Sequence, residues 1–143
     1  MKEISVRTRS RTQLVDITAA VASAVDEIGT RGTLCHVSVP HTTAAVVINE
    51  AADPDVARDL AVAYQAMVPR VSFAHAEGNS DAHLMATLLG SSVSVPIESG
   101  RLRLGTWQGI FLIELDGPRT RQVWVSTVSS AVLPDTVLGG EPA

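Results

Sequence analysis

The 143-residue sequence is poor in the residue types that mark several protein classes. Aromatic residues make up only 3% of it, so the core must be built from Val, Leu, Ile and Ala. The single cysteine, Cys35, excludes an internal disulfide, and its apolar alternating surroundings predict a buried thiol in a reducing compartment. No apolar run approaches the roughly 20 residues of a membrane-spanning helix, and the first residues lack the apolar core of a signal peptide. We therefore expect a cytoplasmic protein with no membrane partner.

The charge balance is mildly acidic, since 11 Lys and Arg against 15 Asp and Glu give a formal net charge of -4. A non-specific nucleic-acid binder usually carries a basic stripe that neutralises phosphates, so we expect no nucleic-acid partner. With 45% hydrophobic and 18% charged residues, the composition is that of a globular protein. We predict one domain over residues 1–130 and a loosely held C-terminal tail over residues 131–143.

Alternating apolar and polar residues predict that much of the chain is strand. The predicted strands cover residues 4–8, 33–39, 42–49, 93–97, 101–106, 109–115 and 122–128. Helical spacing of apolar residues predicts three helices, over 17–28, 54–67 and 81–89. In the second helix, the stripe expected to face the core consists of Val56, Leu60, Tyr64 and Met67. Short antiparallel strands with helices set apart from them indicate an α+β fold.

Three of the four histidines fall at boundaries of predicted elements, where a scaffold presents functional side chains. His41 follows a strand, His75 lies in a loop, and His83 lies in the first turn of the third helix, on one face with Thr87. A catalytic zinc site takes three protein ligands, and three histidines are one known set. The spacing alone favours three separate surface histidines, and a shared metal site stays open as the alternative at this point. We interpret His36, inside a strand, as structural.

Two carboxylates come directly after the predicted strand that begins beside His41. A carboxylate near a histidine can act as a general base or orient the ring, so Glu50 and Asp53 are both candidates for chemistry. Asp53 is also explained as the N-cap of the next helix. Glu50 has no such explanation, and we choose it as the candidate catalytic residue.

Two segments offer groups that can bind an anion. Asn79 precedes the third helix, whose N-terminal N–H groups and dipole favour negative charge. Arg119 and Arg121 follow the turn at residues 116–118, where a guanidinium fork can bind phosphate or carboxylate. Arginines in such places are more often solvated turn residues, and that alternative stays open.

Two glycines, Gly105 and Gly109, interrupt a strand-like run and permit a bulge or the close approach of a ligand. Between them, Trp107 offers a flat stacking face and Gln108 an amide for hydrogen bonding. The alternative is a bulge whose tryptophan fills the core.

Five blocks of sequence between Ile4 and Val128 together resemble the YjbQ-like family. They are His41-Thr42-Thr43-Ala44; Asn49-Glu50 with Asp53-Pro54-Asp55-Val56; His75-Ala76-Glu77-Gly78-Asn79 with Ala82-His83; Gly105-Thr106-Trp107-Gln108; and Asp116-Gly117-Pro118-Arg119 with Arg121. The resemblance implies a mixed α/β fold with a β-sandwich that assembles as a homotrimer. It also implies the label secondary thiamine-phosphate synthase, an activity that joins a pyrimidine diphosphate to a thiazole phosphate.

Matched block by block, the resemblance implies metal ligation by His41, His75 and His83. It also implies a pocket lined by Glu50, Asn79, Gln108 and Arg119, to which we add Thr42 and Trp107 as candidate substrate-binding residues. Our first hypothesis is an enzyme that uses a divalent metal, zinc by preference, on a small phosphorylated or otherwise anionic metabolite. The second is a non-catalytic trimer that binds a metabolite or a metal.

Overall fold

The structure is a computed structural model that describes residues 1–29 and 32–129. The predicted C-terminal tail, 131–143, lies outside the described residues. In the described ranges the chain forms eight strands and three helices. In chain order they are β1 (Lys2–Arg7), β2 (Gln13–Asp16), α1 (Thr18–Ile28), β3 (Leu34–Ser38), β4 (Ala44–Glu50), α2 (Pro54–Ala66), α3 (Ser80–Leu89), β5 (Ser92–Glu98), β6 (Arg101–Leu102), β7 (Gln108–Glu114) and β8 (Thr120–Val128).

The strands form two antiparallel sheets, so the predicted α+β class is confirmed. Sheet A has the order β1-β8-β3-β5-β6, and sheet B has the order β2-β7-β4. Every strand pair in both sheets is antiparallel. Among the described helices, none has the length and apolar character needed to cross a membrane.

The core between the two sheets is aliphatic, as predicted from the shortage of aromatic residues. Alternation in β3 turns Cys35 and Val37 inward, where Cys35 is fully buried and lies opposite Val95 of β5. Burial raises the pKa of this thiol to about 11, which suits an inert core residue. The facing strands of sheet B contribute Val46, Ile110 and Leu112 to the same cluster, which α1 closes with Val21 and Val25.

A second apolar cluster lies on the outer face of sheet B. Strand β7 is buried on both faces, and its outward row, Phe111 and Ile113, packs under α3. Helix α3 contributes Ala82, Met85 and Ala86. The layers are therefore sheet A, sheet B and then helices, and α3 lies across the first part of β4.

Three elements differ from the sequence-based expectations. Strand β2 was not predicted, and the strand expected over 101–106 is reduced to the two residues of β6. The predicted inward stripe of α2 is only partly covered: none of the helix's residues is buried, and Met67 is 63% exposed. The reason is that α2 lies mainly over β2, which is too narrow a strand to cover a helix face.

A buried ion pair joins the two sheets at one end of the sandwich. Glu114 ends the inward row of β7 and Arg121 begins the inward row of β8; their side chains are 0% and 4% exposed. The Glu114 carboxylate also accepts from the hydroxyl of Thr8 at 2.9 Å and from the N–H groups of Leu115 and Asp116. Arg121 is therefore neither the anion-binding residue nor the solvated turn residue considered from the sequence.

We expect Arg121→Leu to lower the free energy of unfolding by about 3–5 kcal/mol, because it leaves the Glu114 charge buried without its partner. Urea denaturation followed by circular dichroism measures this loss. The exposed Arg101→Leu is the matched control and should change stability by less than about 0.5 kcal/mol. Adding Glu114→Leu to Arg121→Leu should recover part of the loss; a single variant as stable as the control would contradict the assigned role.

Candidate functional site

His41 lies in the loop between β3 and β4, where Pro40 ends the preceding strand. Its Nε2 accepts a hydrogen bond of 2.8 Å from the backbone N–H of Gln122 in β8. This bond places the proton of the neutral ring on Nδ1. Burial, and then the positive charge of Arg121, hold the pKa of His41 below its ordinary value. The ring is therefore neutral at physiological pH, which is the form that binds a metal.

His83 connects the other two histidines. It lies in α3 and shares with His41 the wall of an open cavity of about 370 Å³, which Thr42, Thr87 and Ser91 also line. The predicted shared face of His83 and Thr87 is confirmed, and the Thr87 hydroxyl donates to the backbone carbonyl of His83 at 2.8 Å. The ring of His83 meets that of His75 edge to face, with 5.6 Å between their centroids.

The three histidines therefore lie in one neighbourhood, which we call the histidine end. The rings are not drawn together around a single point: within residues 1–29 and 32–129, no group of three His, Cys, Asp or Glu side chains has an arrangement able to hold a metal ion. The ring nitrogens of His83 have no hydrogen-bond partner in the described part of the chain. His75 has one weak neighbour, a Glu77 oxygen 3.8 Å from its Nε2.

A polar cluster at the start of α3 borders the histidine end. The Asp116 carboxylate accepts from the amide of Asn79 at 3.0 Å and from the guanidinium of Arg119 at 3.0 Å. Arg11 bridges Asp116 and Asp81. These contacts, the Asn79 hydrogen bond first, hold the pKa of Asp116 below its usual range. The arrangement orients Arg119 and leaves half of its side chain exposed to a ligand.

The carbonyl oxygen of the Asn79 side chain is buried and has no hydrogen-bond partner among the described residues. An unpaired buried acceptor is unfavourable by about 1–3 kcal/mol. A donor from a ligand or an ordered water would relieve this cost, which is consistent with Asn79 as a binding residue.

The remaining predicted site residues lie at the opposite end of sheet B. Glu50 is the last residue of β4 and pairs with Gln108, the first residue of β7. Glu50 lies six positions along β4 from Ala44, which lines the histidine cavity, a distance of about 20 Å. Within one chain, Glu50 is therefore not close to His41. Its carboxylate is half-buried and makes no side-chain hydrogen bond or ion pair in the part of the chain that the structure describes.

Trp107 and Gln108 form a tight turn beside Glu50. The Gln108 side-chain oxygen accepts from the N–H of Gly105 at 2.8 Å and so closes the turn. Trp107 does not fill the core, because this turn leaves it 66% exposed. Gly109 must be glycine, since a Cβ there would lie 2.6 Å from the Cβ of Ala51. We call Glu50, Trp107 and Gln108 the tryptophan end.

Sequence reasoning did not identify Glu114 or Arg11. It also did not predict that Asp116 binds Asn79, Arg119 and Arg11. A signal for Glu114 was available, because it continues the alternating row of Ile110 and Leu112 and so had to face the core. Nothing in the local pattern marked Arg11, whose partner Asp81 is 70 residues away.

The chain matches one family along nearly its whole length. A family model described as UPF0047 protein YjbQ-like matches residues 2–130. The chain is 44% identical to a UPF0047 protein of Methanocaldococcus jannaschii, over 86% of this chain and 90% of that protein. It is 40% identical to YugU of Bacillus subtilis, over 87% of this chain and 96% of YugU.

Solved structures share the fold. A conserved protein of the same family from Clostridium acetobutylicum superimposes with a TM-score of 0.85 at 49% identity, covering 90% of this chain and 100% of that one. A conserved hypothetical protein from Thermus thermophilus gives a TM-score of 0.81 at 41% identity over 90% of this chain and 100% of that one.

In the metal-free protein we expect the His41 ring to titrate below the ordinary histidine pKa of about 6.5. Because the folded-state pKa is lowered, the His41 contribution to stability is present above the unfolded-state pKa and is lost as the pH falls below it. NMR titration of the ring resonances measures the pKa, and His41→Gln assigns the signal. A His41 that titrates at or above the ordinary value would show that burial and Arg121 do not control the ring.

Proposed function

Since the chain belongs to the UPF0047 YjbQ-like family, we propose that it is a cytoplasmic, metal-assisted enzyme that acts on a small anionic metabolite at the histidine end. The observation that carries this proposal is that His41 and His83 line one open cavity, that the ring of His75 lies against that of His83, and that Arg119 and Asn79 lie beside them. Together they supply metal-binding and anion-binding groups within one small region.

The donor chemistry of the three histidines fits a divalent ion, with zinc as the preferred candidate. Three imidazoles are a known ligand set for catalytic zinc, and such sites keep a fourth position for water or substrate. Nε2 of His41 is already engaged by the Gln122 amide. A neutral imidazole has one lone pair for bonding, which the Gln122 N–H occupies here, so His41 would bind a metal by giving up this hydrogen bond. The chemistry that such an ion supplies is polarisation of a substrate oxygen or activation of water.

The anionic part of the substrate would be held by this chain's own groups. Arg119 has its planar guanidinium fixed at one edge by Asp116 and its other donors free for phosphate or carboxylate. Asn79 stands at the N-terminus of α3, where the helix dipole favours negative charge. Thr42 offers a hydroxyl from the cavity wall. We propose that these three residues position the anion next to the histidines.

In the homotrimer that we also propose, Glu50 is the proposed proton-transfer residue and Trp107 the proposed stacking surface of a neighbouring copy, because within one chain Glu50 lies about 20 Å from the histidine cavity. A half-buried carboxylate that has no partner among the described residues is available to accept or donate a proton. The candidate reaction is the joining of a pyrimidine diphosphate to a thiazole phosphate, whose two substrates combine flat rings with phosphate groups. The phosphate groups match Arg119 and the N-terminus of α3 at the histidine end. The flat rings match the exposed indole of Trp107 at the tryptophan end.

For the metal, we expect the purified wild-type protein to bind about one zinc ion per chain. Each of His41→Ala, His75→Ala and His83→Ala should weaken binding by about 100-fold or more, since even second-shell changes cost 10–100-fold. Calorimetric titration of the metal-free protein with zinc measures both quantities. His36→Ala is the matched control, because His36 lies in β3 and bonds Ser94 away from the cavity. Stoichiometric zinc binding that survives each of the three changes would rule out a shared site.

For the reaction, we expect purified protein to form thiamine phosphate from its two precursors and Glu50→Gln to lower the rate by about 100-fold or more. The stability of Glu50→Gln should equal that of wild type, because the carboxylate has no partner in the described part of the chain. Glu98→Gln, a surface change in sheet A, controls for loss of charge alone. No turnover by the wild-type protein that binds zinc would favour the second hypothesis, a non-catalytic metabolite- or metal-binding trimer.

A further inference from the structure

A groove runs between helix α2 and strand β2 on the outer face of sheet B, and we call it the α2 groove. Its volume is about 630 Å³, within the roughly 300–1,000 Å³ of small-molecule sites. Ala57 and Ala61 of α2 form one wall, Leu14 of β2 forms the other, and Phe111 of β7 lies at the floor. The α2 groove shares no lining residue with the cavity at the histidine end.

The groove exists because α2 turns small side chains toward the sheet. Ala57 and Ala61 are four residues apart and so lie on the same face of the helix, above Phe111. Their methyl groups leave space that longer side chains would fill, and no residue of α2 is buried. A ligand with an apolar body can therefore occupy this space without displacing a side chain.

Two carboxylates approach each other at one end of the groove. Asp16 ends β2 and Asp53 caps α2, and both line the groove. The Asp16 carboxylate accepts from the hydroxyl of Thr18 at 2.6 Å. A Cβ built on Gly109 would lie 2.9 Å from that hydroxyl oxygen and 2.6 Å from the Cβ of Ala51, which is two residues before Asp53. The two acidic side chains therefore flank the same end of the groove from opposite walls.

Each of these carboxylates has one oxygen available. Oδ1 of Asp16 accepts from the N–H and the hydroxyl of Thr18, and Oδ1 of Asp53 accepts from the N–H of Asp55 at 2.9 Å. Neither Oδ2 has a hydrogen-bond partner among residues 1–29 and 32–129. A donor that carries a positive charge would find two ionised acceptors here, and hydrogen bonds between ionised groups are stronger than neutral ones.

The other charge on the groove wall does not cancel this acidic end. Arg58 is the one cationic side chain that lines the groove within the described ranges, and it is paired with Asp55, one helical turn earlier. Asp55 itself is not part of the lining. The guanidinium is thus neutralised from outside the groove, and the charge that faces a ligand is that of Asp16 and Asp53.

We propose that the α2 groove is a second ligand site, which binds a small amphipathic cation. The aliphatic or aromatic body of the ligand lies over Phe111 between α2 and β2, and its ammonium group lies between Asp16 and Asp53. This combination of an apolar cavity with a few polar groups at one end is typical of small-molecule sites. The proposal is independent of the function proposed for the histidine end.

The probe for the test is n-hexylammonium, titrated into the full-length protein and followed by NMR of the backbone amides. We expect saturable shifts of the signals from β2 and α2. Hexan-1-ol has the same chain without the charge and should bind about fivefold more weakly, and hexanoate more weakly still. Shortening the chain to n-pentylammonium should weaken binding by about fourfold, because one fewer methylene is buried.

The charge is tested by the double change Asp16→Asn, Asp53→Asn. Asparagine keeps the side-chain oxygen that accepts from the backbone at each position, so the local structure is retained. We expect the affinity for n-hexylammonium to fall by about fivefold and that for hexan-1-ol to stay unchanged. Asp59→Asn is the matched control, because Asp59 is an exposed residue of α2 outside the groove.

The cavity is tested by Ala61→Phe, which places a ring inside the groove. Binding of both n-hexylammonium and hexan-1-ol should fall by about tenfold or more, because the ring occupies the space of the chain. Ala63→Phe makes the same change on an exposed part of α2 outside the groove and should leave binding unchanged. Circular dichroism checks that each variant keeps the fold.

Three results would overturn the proposal. They are the absence of saturable shifts in β2 and α2, equal affinity for n-hexylammonium and hexan-1-ol, and binding that survives the double asparagine change. Sedimentation in the presence of the probe supplies a further outcome: if n-hexylammonium dissociates an oligomer, the groove is an interface between copies and the proposal is wrong. Zinc titration of Ala61→Phe should match wild type, so failure of the proposed metal site leaves these results unaffected.

Discussion

The buried ion pair between Glu114 and Arg121 is the interaction on which the packing of the sheets and the shape of the histidine end both depend. Removing two charges from water is costly, and such a pair persists only when its remaining hydrogen-bonding groups are satisfied. Here Thr8, two backbone amides and Thr43 complete the set. The pair therefore joins β1, β7, β8 and the loop before β4. Because that loop carries His41, the ion pair also determines where the candidate site lies.

The position of His41 follows from two contacts on either side of the ion pair. Arg121 donates to both the carbonyl and the hydroxyl oxygen of Thr43, two residues beyond His41, and the next residue along β8, Gln122, donates its amide to the ring. One stretch of β8 thus fixes the loop and the imidazole together. Burial lowers the pKa of this histidine, and the positive charge of Arg121 that stabilises the fold lowers it further.

Much of the fold was predictable because period-two alternation is a local signal, and it located six of the eight described strands at nearly full length. Strand β2 was missed because its four residues lie at a sheet edge and are at most partly buried, so apolar and polar positions differ little. Glu114 and Arg121 were harder for another reason. Each occupies a position of its strand at which the other inward-facing side chains are apolar. Its charge can be buried there only because its partner lies on another strand, which the local sequence does not reveal.

The residues of the candidate site could largely be predicted from the sequence, but their positions relative to one another could not. The histidines were found because they fall where elements end, and elements that end at the same edge of a sandwich bring their side chains together. Glu50 was placed near His41 because the two residues flank one strand. That reasoning confuses neighbours in sequence with neighbours in space, since a strand separates its two ends by its full length. A helix between them would have kept them closer, at 1.5 Å per residue.

Most of the few aromatic residues lie on the surface of the chain rather than in its core. The sequence has five Trp, Tyr and Phe residues, yet only Phe111 is buried, while Trp107, Trp124 and Phe73 are among the exposed large side chains. A protein short of aromatic side chains that needed them for its core would bury them first. The core is instead filled by aliphatic residues, and two of the exposed rings lie at the two ends of the candidate site. Aromatic residues are enriched where protein surfaces meet, so exposed rings such as those of Trp107 and Phe73 are typical of interaction surfaces.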